Sequence, residues 1–84
     1  MKFMALFKLP NSADIKALAE RFFRFSSVEK VFLGDFVAFA LIHAPNPDSA
    51  VTEATFVGHY AGAQPLKVWA IRFEADDEGN LTEV

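Results

Sequence analysis

Val28-Glu29-Lys30-Val31-Phe32-Leu33-Gly34-Asp35-Phe36-Val37-Ala38-Phe39-Ala40-Leu41-Ile42-His43 is the stretch on which the fold turns. Two β-rich segments, Val28 to Phe32 and Phe36 to His43, flank Leu33-Gly34-Asp35, where the glycine can take the positive φ of a short hairpin. A three-residue loop pairs Phe32 with Phe36. Lys30, Phe32, Phe36, Ala38 and Ala40 then share one face, and Val31, Val37, Phe39 and Leu41 share the other. A two-residue turn would instead move Val31 and Leu33 onto the face of Phe36, because a slip in register exchanges the faces of a strand.

On the N-terminal side of this hairpin the spacing predicts a helix. From Ser12 to Phe25 the apolar positions Ile15, Leu18, Ala19, Phe22 and Phe25 recur at helical intervals. Lys16 with Glu20, and Glu20 with Arg24, make pairs four apart on the polar side. Before it, residues 2–9 form a nearly unbroken apolar run ended by Pro10-Asn11-Ser12, the pattern of a buried strand followed by a helix cap. Alternation places Phe3, Ala5, Phe7 and Leu9 on one face of that strand, and Met4 and Leu6 on the other.

On the C-terminal side, Ala44-Pro45-Asn46-Pro47 is a loop. Asp48 or Ser49 is expected to cap a second helix ending near Tyr60, with Ala50, Val51, Ala54 and Val57 facing inward. Gly62 closes the connection, and Pro65 to Phe73 reads as a last strand with Lys67, Trp69, Ile71 and Phe73 on one side. Strand, helix, hairpin, helix, strand is the order of an α+β, ferredoxin-like βαββαβ domain, with two right-handed crossovers placing both helices on one face of a four-stranded antiparallel sheet. Its expected extent is residues 1–73, followed by an acidic tail over residues 74–84.

The other sheet face is then bare. The expected binding face is Phe3, Phe7, Phe32, Phe36, Trp69, Ile71 and Phe73, with Lys30 and Lys67 among them. Such an aromatic surface is larger than monomers usually expose. Opposite parity in the last strand would put Trp69 in the core instead. Phe56 and Tyr60, four apart on the second helix, either cover its edge or mark a second contact patch.

Several chemistries are excluded by composition. Among 84 residues there is no cysteine, so disulfides, thiolate metal sites and thiol nucleophiles do not arise. His43 and His59 stand apart without a carboxylate at metal-ligand spacing, and no phosphate-binding or hydrolase motif occurs. No catalytic residue, metal or cofactor is therefore expected. The apolar run at the N-terminus is too short for a membrane span or a signal-peptide core, which makes cytoplasmic residence the default expectation. Charge is unevenly spread: Glu74, Asp76, Asp77, Glu78 and Glu83 are acidic with no base among them, so residues 1–73 carry eight bases against six acids.

Two resemblances follow from particular residues. Leu6-Phe7 with Leu9-Pro10, the spacing of Leu18, Phe22, Phe25, Val28 and Val31, Phe36-Val37-Ala38-Phe39 and Pro65-Leu66-Lys67-Val68 together resemble the RNA recognition motif over most of residues 5–73. That resemblance implies base stacking on sheet aromatics, here by Phe7 and Phe36, since strict placement puts Ala5 and Ala38 at the stacking positions. The basic residue and glycine that open the motif's third strand are absent. Leu9-Pro10-Asn11-Ser12-Ala13-Asp14-Ile15-Lys16-Ala17-Leu18 is similar to the small CRISPR-associated adaptation and endoribonuclease family. Lys8 stands near where that family carries an acidic residue, so the resemblance implies pairing of sheets or edges without metal-dependent cleavage.

Three functions are thus open. A homodimeric or protein-interaction module explains the apolar face without a basic requirement. Single-stranded nucleic-acid binding would use Phe7, Phe36 and Trp69 for stacking and Lys30 and Lys67 for phosphates, against a pI of about 5.2. A small-ligand enzyme of dimeric α/β-barrel type comes third.

Overall fold

A computed structural model describes residues 1–11 and 14–84 of the chain. The expected cap Ser12 lies outside the described residues. Strand β1 (Lys2–Lys8), helix α1 (Ile15–Phe22), strands β2 (Val28–Leu33) and β3 (Val37–His43), helix α2 (Pro47–Ala61) and strand β4 (Gln64–Ile71) form an α+β unit. Its sheet has four strands in the order β2-β3-β1-β4. Every neighbouring pair is antiparallel. Two short strands, β5 (Phe73–Ala75) and β6 (Leu81–Glu83), follow as a separate antiparallel hairpin.

Each helix start has a local cause. Asp14 caps α1, its carboxylate accepting the Ala17 N–H at 3.2 Å. At α2 the cap is Asn46, two or three residues before the expected Asp48 or Ser49, because its side chain accepts the Ser49 N–H at 2.8 Å and Pro47 fits the first helical position. Gly62 ends α2 in the left-handed conformation, at φ 78°. Helix α1 stops at Phe22, short of the expected Phe25, and the Lys16–Glu20 and Glu20–Arg24 ion pairs do not form.

Both helices lie on the same side of the sheet. The core joins Ala5, Phe7, Ala38, Ala40 and Ile42 from the strands to Leu18, Phe22, Ala54, Val57 and Ala61 from the helices. Phe7 meets Phe22 edge-on, centroids 5.1 Å apart. The small residues Ala5, Ala38 and Ala40 let the helices settle close to the sheet, while Phe3 and Phe7 fill what remains. Gly58 belongs to the same device: a Cβ there would lie 2.8 Å from the Ala63 carbonyl oxygen and 3.1 Å from Phe7 Cε1. Val51, expected to face inward, is exposed.

Two expectations about faces are overturned. Phe3 and Phe7 are buried beneath the helices, so the face of β1 that is open carries Met4 and Leu6. In the hairpin, Phe32 pairs with Phe39 and Leu33 with Ala38, and the Gly34 N–H donates to the Val37 carbonyl at 2.8 Å. The connection is therefore a two-residue turn, Asp35-Phe36, and Gly34 does not take the positive φ expected of it, because it is paired with Val37 at the strand end. Val31 and Leu33 share the helix side with Ala38 and Ala40, and Phe36 sits in the turn.

Residues 73–83 are not a bare tail. The last strand breaks after Ile71, and the chain then doubles back as the β5–β6 hairpin. The Asp76 carboxylate organises its tip by accepting the Glu78 and Asn80 N–H groups, each at 2.9 Å, and the Asn80 side-chain amide at 3.1 Å. Gly79 supplies the positive φ, 83°, that closes a three-residue hairpin loop.

Candidate functional site: the open sheet face

Alternation along the observed register assembles the face that no helix covers. Strand β1 contributes Lys2, Met4, Leu6 and Lys8; β3 contributes Val37, Phe39, Leu41 and His43; β2 adds Lys30 and Phe32; β4 adds Lys67, Trp69 and Ile71. Of the residues expected on the binding face, Lys30, Phe32, Lys67, Trp69 and Ile71 are here. Phe3 and Phe7 are not, and Phe36 is exposed in the turn, its carbonyl accepting the Leu9 N–H at 2.8 Å.

The centre of the face is apolar and partly self-packed. Phe39 and Trp69 meet edge to face across β1, with centroids 6.3 Å apart and planes at 84°. Leu6 pairs with Phe39 and Met4 with Trp69, so the aromatic pair rides over the middle strand. Met4, Leu6, Phe39 and Leu41 form no part of the expected face, although apolar residues on both sides of β1 and β3 carry the signal that either side could be the open one.

At one end of the face the β5–β6 hairpin stands over the sheet. A cleft of about 210 Å³ lies between Met4, Phe32 and Leu41 on the sheet and Phe73, Glu74 and Val84 on the hairpin side. Phe73 is thus beside the face, past the break in the strand, and remains half exposed. The cleft is smaller than the usual 300–1,000 Å³ of small-molecule sites.

Charge collects at the margins. Glu29, at a bulge between Val28 and Lys30, accepts a hydrogen bond from His43 Nε2 at 2.9 Å and an ion pair from Lys2 Nζ at 3.3 Å. The His43 hydrogen bond first, and then Lys2, holds the Glu29 carboxyl below its ordinary value. Among the described residues Lys8, Lys30 and Lys67 form no ion pair, and neither do the five acidic residues of the hairpin.

Among the described residues no polar or charged side chain is buried, and no three His, Asp or Glu residues gather as metal ligands. The Asp76 carboxyl, like that of Glu29, is held below its ordinary value, here by the N–H groups it accepts at the hairpin tip. On the opposite side of the molecule, Phe56 is exposed on α2, while Tyr60 packs edge-on against Phe25 at 5.7 Å. Tyr60 is also half exposed, so both residues present aromatic surface on α2. Among the described residues no helix is long and apolar enough to cross a membrane. In comparisons with known proteins, no protein-family model, curated protein or solved structure matches the chain.

Proposed function

We propose that this chain is a binding module on a ferredoxin-like βαββαβ scaffold, and that it works by pairing with a second copy through its open sheet face. The strand order β2-β3-β1-β4, with both helices on the other side, supports the scaffold. One observation carries the pairing: Met4, Leu6, Phe32, Phe39, Trp69 and Ile71 form an apolar surface that no helix covers, the β5–β6 hairpin standing over one end of it, where Leu41 is buried. A surface of that kind favours an isologous contact, in which the same patch serves both partners.

Sedimentation equilibrium over micromolar concentrations is the test. The expected result is a species of twice the 9.3 kDa chain mass, reduced to the single chain by Trp69→Glu. A single-chain mass at every concentration would defeat the reading. The second reading, single-stranded nucleic-acid binding, draws on Phe32, Phe39 and Trp69 beside the unpaired Lys8, Lys30 and Lys67. It no longer includes Phe7 or Phe36. Salt-sensitive binding of a labelled oligonucleotide by the monomer would favour it.

A further inference from the structure

We infer that the acidic β5–β6 hairpin of one copy docks against the lysine rim of its partner's open face, so that two reciprocal hairpin contacts clamp the dimer. The inference rests on the pairing proposed above and adds how that pairing is held.

Size is the first argument. The four strands run six to eight residues. At about 4.8 Å between strands and about 3.3 Å per residue, the face projects to roughly 20 by 20 Å, or about 800 Å² for two copies together. Side-chain relief enlarges this figure, yet it starts below the ~1,200–2,000 Å² of stable interfaces. Something beyond the sheet must add contact. The hairpin is the element placed to do so, since its root already walls one end of the face through Phe73, Glu74 and Val84.

Charge supplies the second argument. Among the described residues, Glu74, Asp76, Asp77, Glu78 and Glu83 have no cation partner, and Lys8, Lys30 and Lys67 have no anion partner. Two bare faces brought together would set these lysines against each other, a like-charge contact that costs affinity. A hairpin from each side resolves the conflict. The same chain carries both halves of the complement, residues 1–73 being net basic and residues 74–84 purely acidic. Leu81, also exposed, gives the hairpin an apolar residue to bury alongside the charges. The tip is built to hold its shape, because Asp76 and Gly79 fix the turn and leave Asp77 and Glu78 free to project.

The test uses two charge-reversed full-length chains. Asp77→Lys with Glu78→Lys makes the projecting tip of the hairpin basic, like the rim it would meet. Lys8→Glu with Lys67→Glu makes both acidic. All four positions are exposed, and retained far-ultraviolet circular dichroism will show that each chain folds. By sedimentation equilibrium in about 0.1 M salt, each variant alone should dimerise at least about tenfold more weakly than the unmodified chain. Mixed in equal amounts, they should form a heterodimer at near-original affinity, because each hairpin tip, at residues 77 and 78, then meets a rim of opposite sign. The preference should fade toward 1 M salt, where the screening length falls from about 10 Å to about 3 Å.

Dimers of unchanged affinity in both variants, with no preference on mixing, would overturn the clamp while leaving the sheet-face pairing in place. An unmodified chain that stays monomeric would overturn both. If that monomer also bound a labelled single-stranded oligonucleotide, the lysine rim would belong to the nucleic-acid reading instead.

Discussion

The two faces of the sheet can be told apart by changing one phenylalanine on each. Phe7 is fully buried, packs edge-on against Phe22 and touches the helix at Gly58. Phe7→Leu removes part of the ring and the aromatic pair. Full Phe→Ala truncation in a core costs about 3–5 kcal/mol and an aromatic pair adds about 0.5–1.5, so the partial loss comes to about 2 kcal/mol. A chain of this length has a total stability of about 4–13 kcal/mol, so the variant should still fold. In urea, with a slope near 1 kcal/mol per molar, the unfolding midpoint should fall by about 2 M, by the same amount at every protein concentration. Phe32 is 54% exposed and pairs with Phe39 on the open face. Phe32→Leu should cost under about 0.5 kcal/mol in dilute protein. Its cost should grow with concentration, because it acts only through association. An unchanged midpoint for Phe7→Leu, together with a large concentration-independent loss for Phe32→Leu, would refute the assignment of faces.

Gly58→Ala tests the approach of α2 to the sheet. Helix propensity alone predicts a gain of about 1 kcal/mol, yet the 2.8 Å contact with the Ala63 carbonyl should reverse this to a net loss of about 1–2 kcal/mol, read as a lower thermal midpoint; a gain would show that the contact can relax. Asn46→Ala should cost about 1 kcal/mol by leaving the Ser49 N–H without its acceptor, and Asn46→Asp should restore most of it; equal stability of all three would exclude Asn46 as the cap. The Asp76 carboxyl is held below its ordinary 3.8, first by the Asn80 N–H and then by the Asn80 side chain. A depressed folded value stabilises the hairpin above the unfolded value, and that contribution is lost as pH falls through the folded one. Amide shifts of Gly79 and Asn80 should therefore titrate below 3.8, and a midpoint at or above it would contradict the turn geometry.

The order of the elements was legible because each has a local cause. Leu18 and Phe22 recur at helical spacing, Gly62 ends a helix, and the break at Gly34-Asp35 marks the hairpin, although Gly34 does not take the positive φ expected of it and α2 starts at Asn46-Pro47, inside the expected loop. Such signals act within a few residues and do not depend on what packs where. Likewise Trp69, Ile71 and Lys67 share a strand face by alternation alone, and all three are on the open side. Charge segregation between residues 1–73 and 74–84 is a property of the chain itself.

Which face of the central strands meets the helices was a different kind of question. In β1, Phe3, Ala5 and Phe7 compete with Met4 and Leu6, and a period of two separates the sets without ranking them. Packing ranked them. Helices can approach only where Ala5, Ala38 and Ala40 leave room, and Phe3 and Phe7 then fill the space between. The hairpin register followed from the same burial: with Asp35-Phe36 as the turn, Val31 and Leu33 join the core side and Phe32 is sent out to Phe39. The C-terminal hairpin escaped sequence reading because its strands are only three residues long and its turn depends on one carboxylate reaching three N–H groups around Asp76. The sequence by itself therefore determined the six elements from β1 to β4, their order and the charge the chain carries. Only the tertiary structure decided which aromatic side chains are core and which are surface, because that choice depends on the volume left between sheet and helices and not on any local preference of the chain.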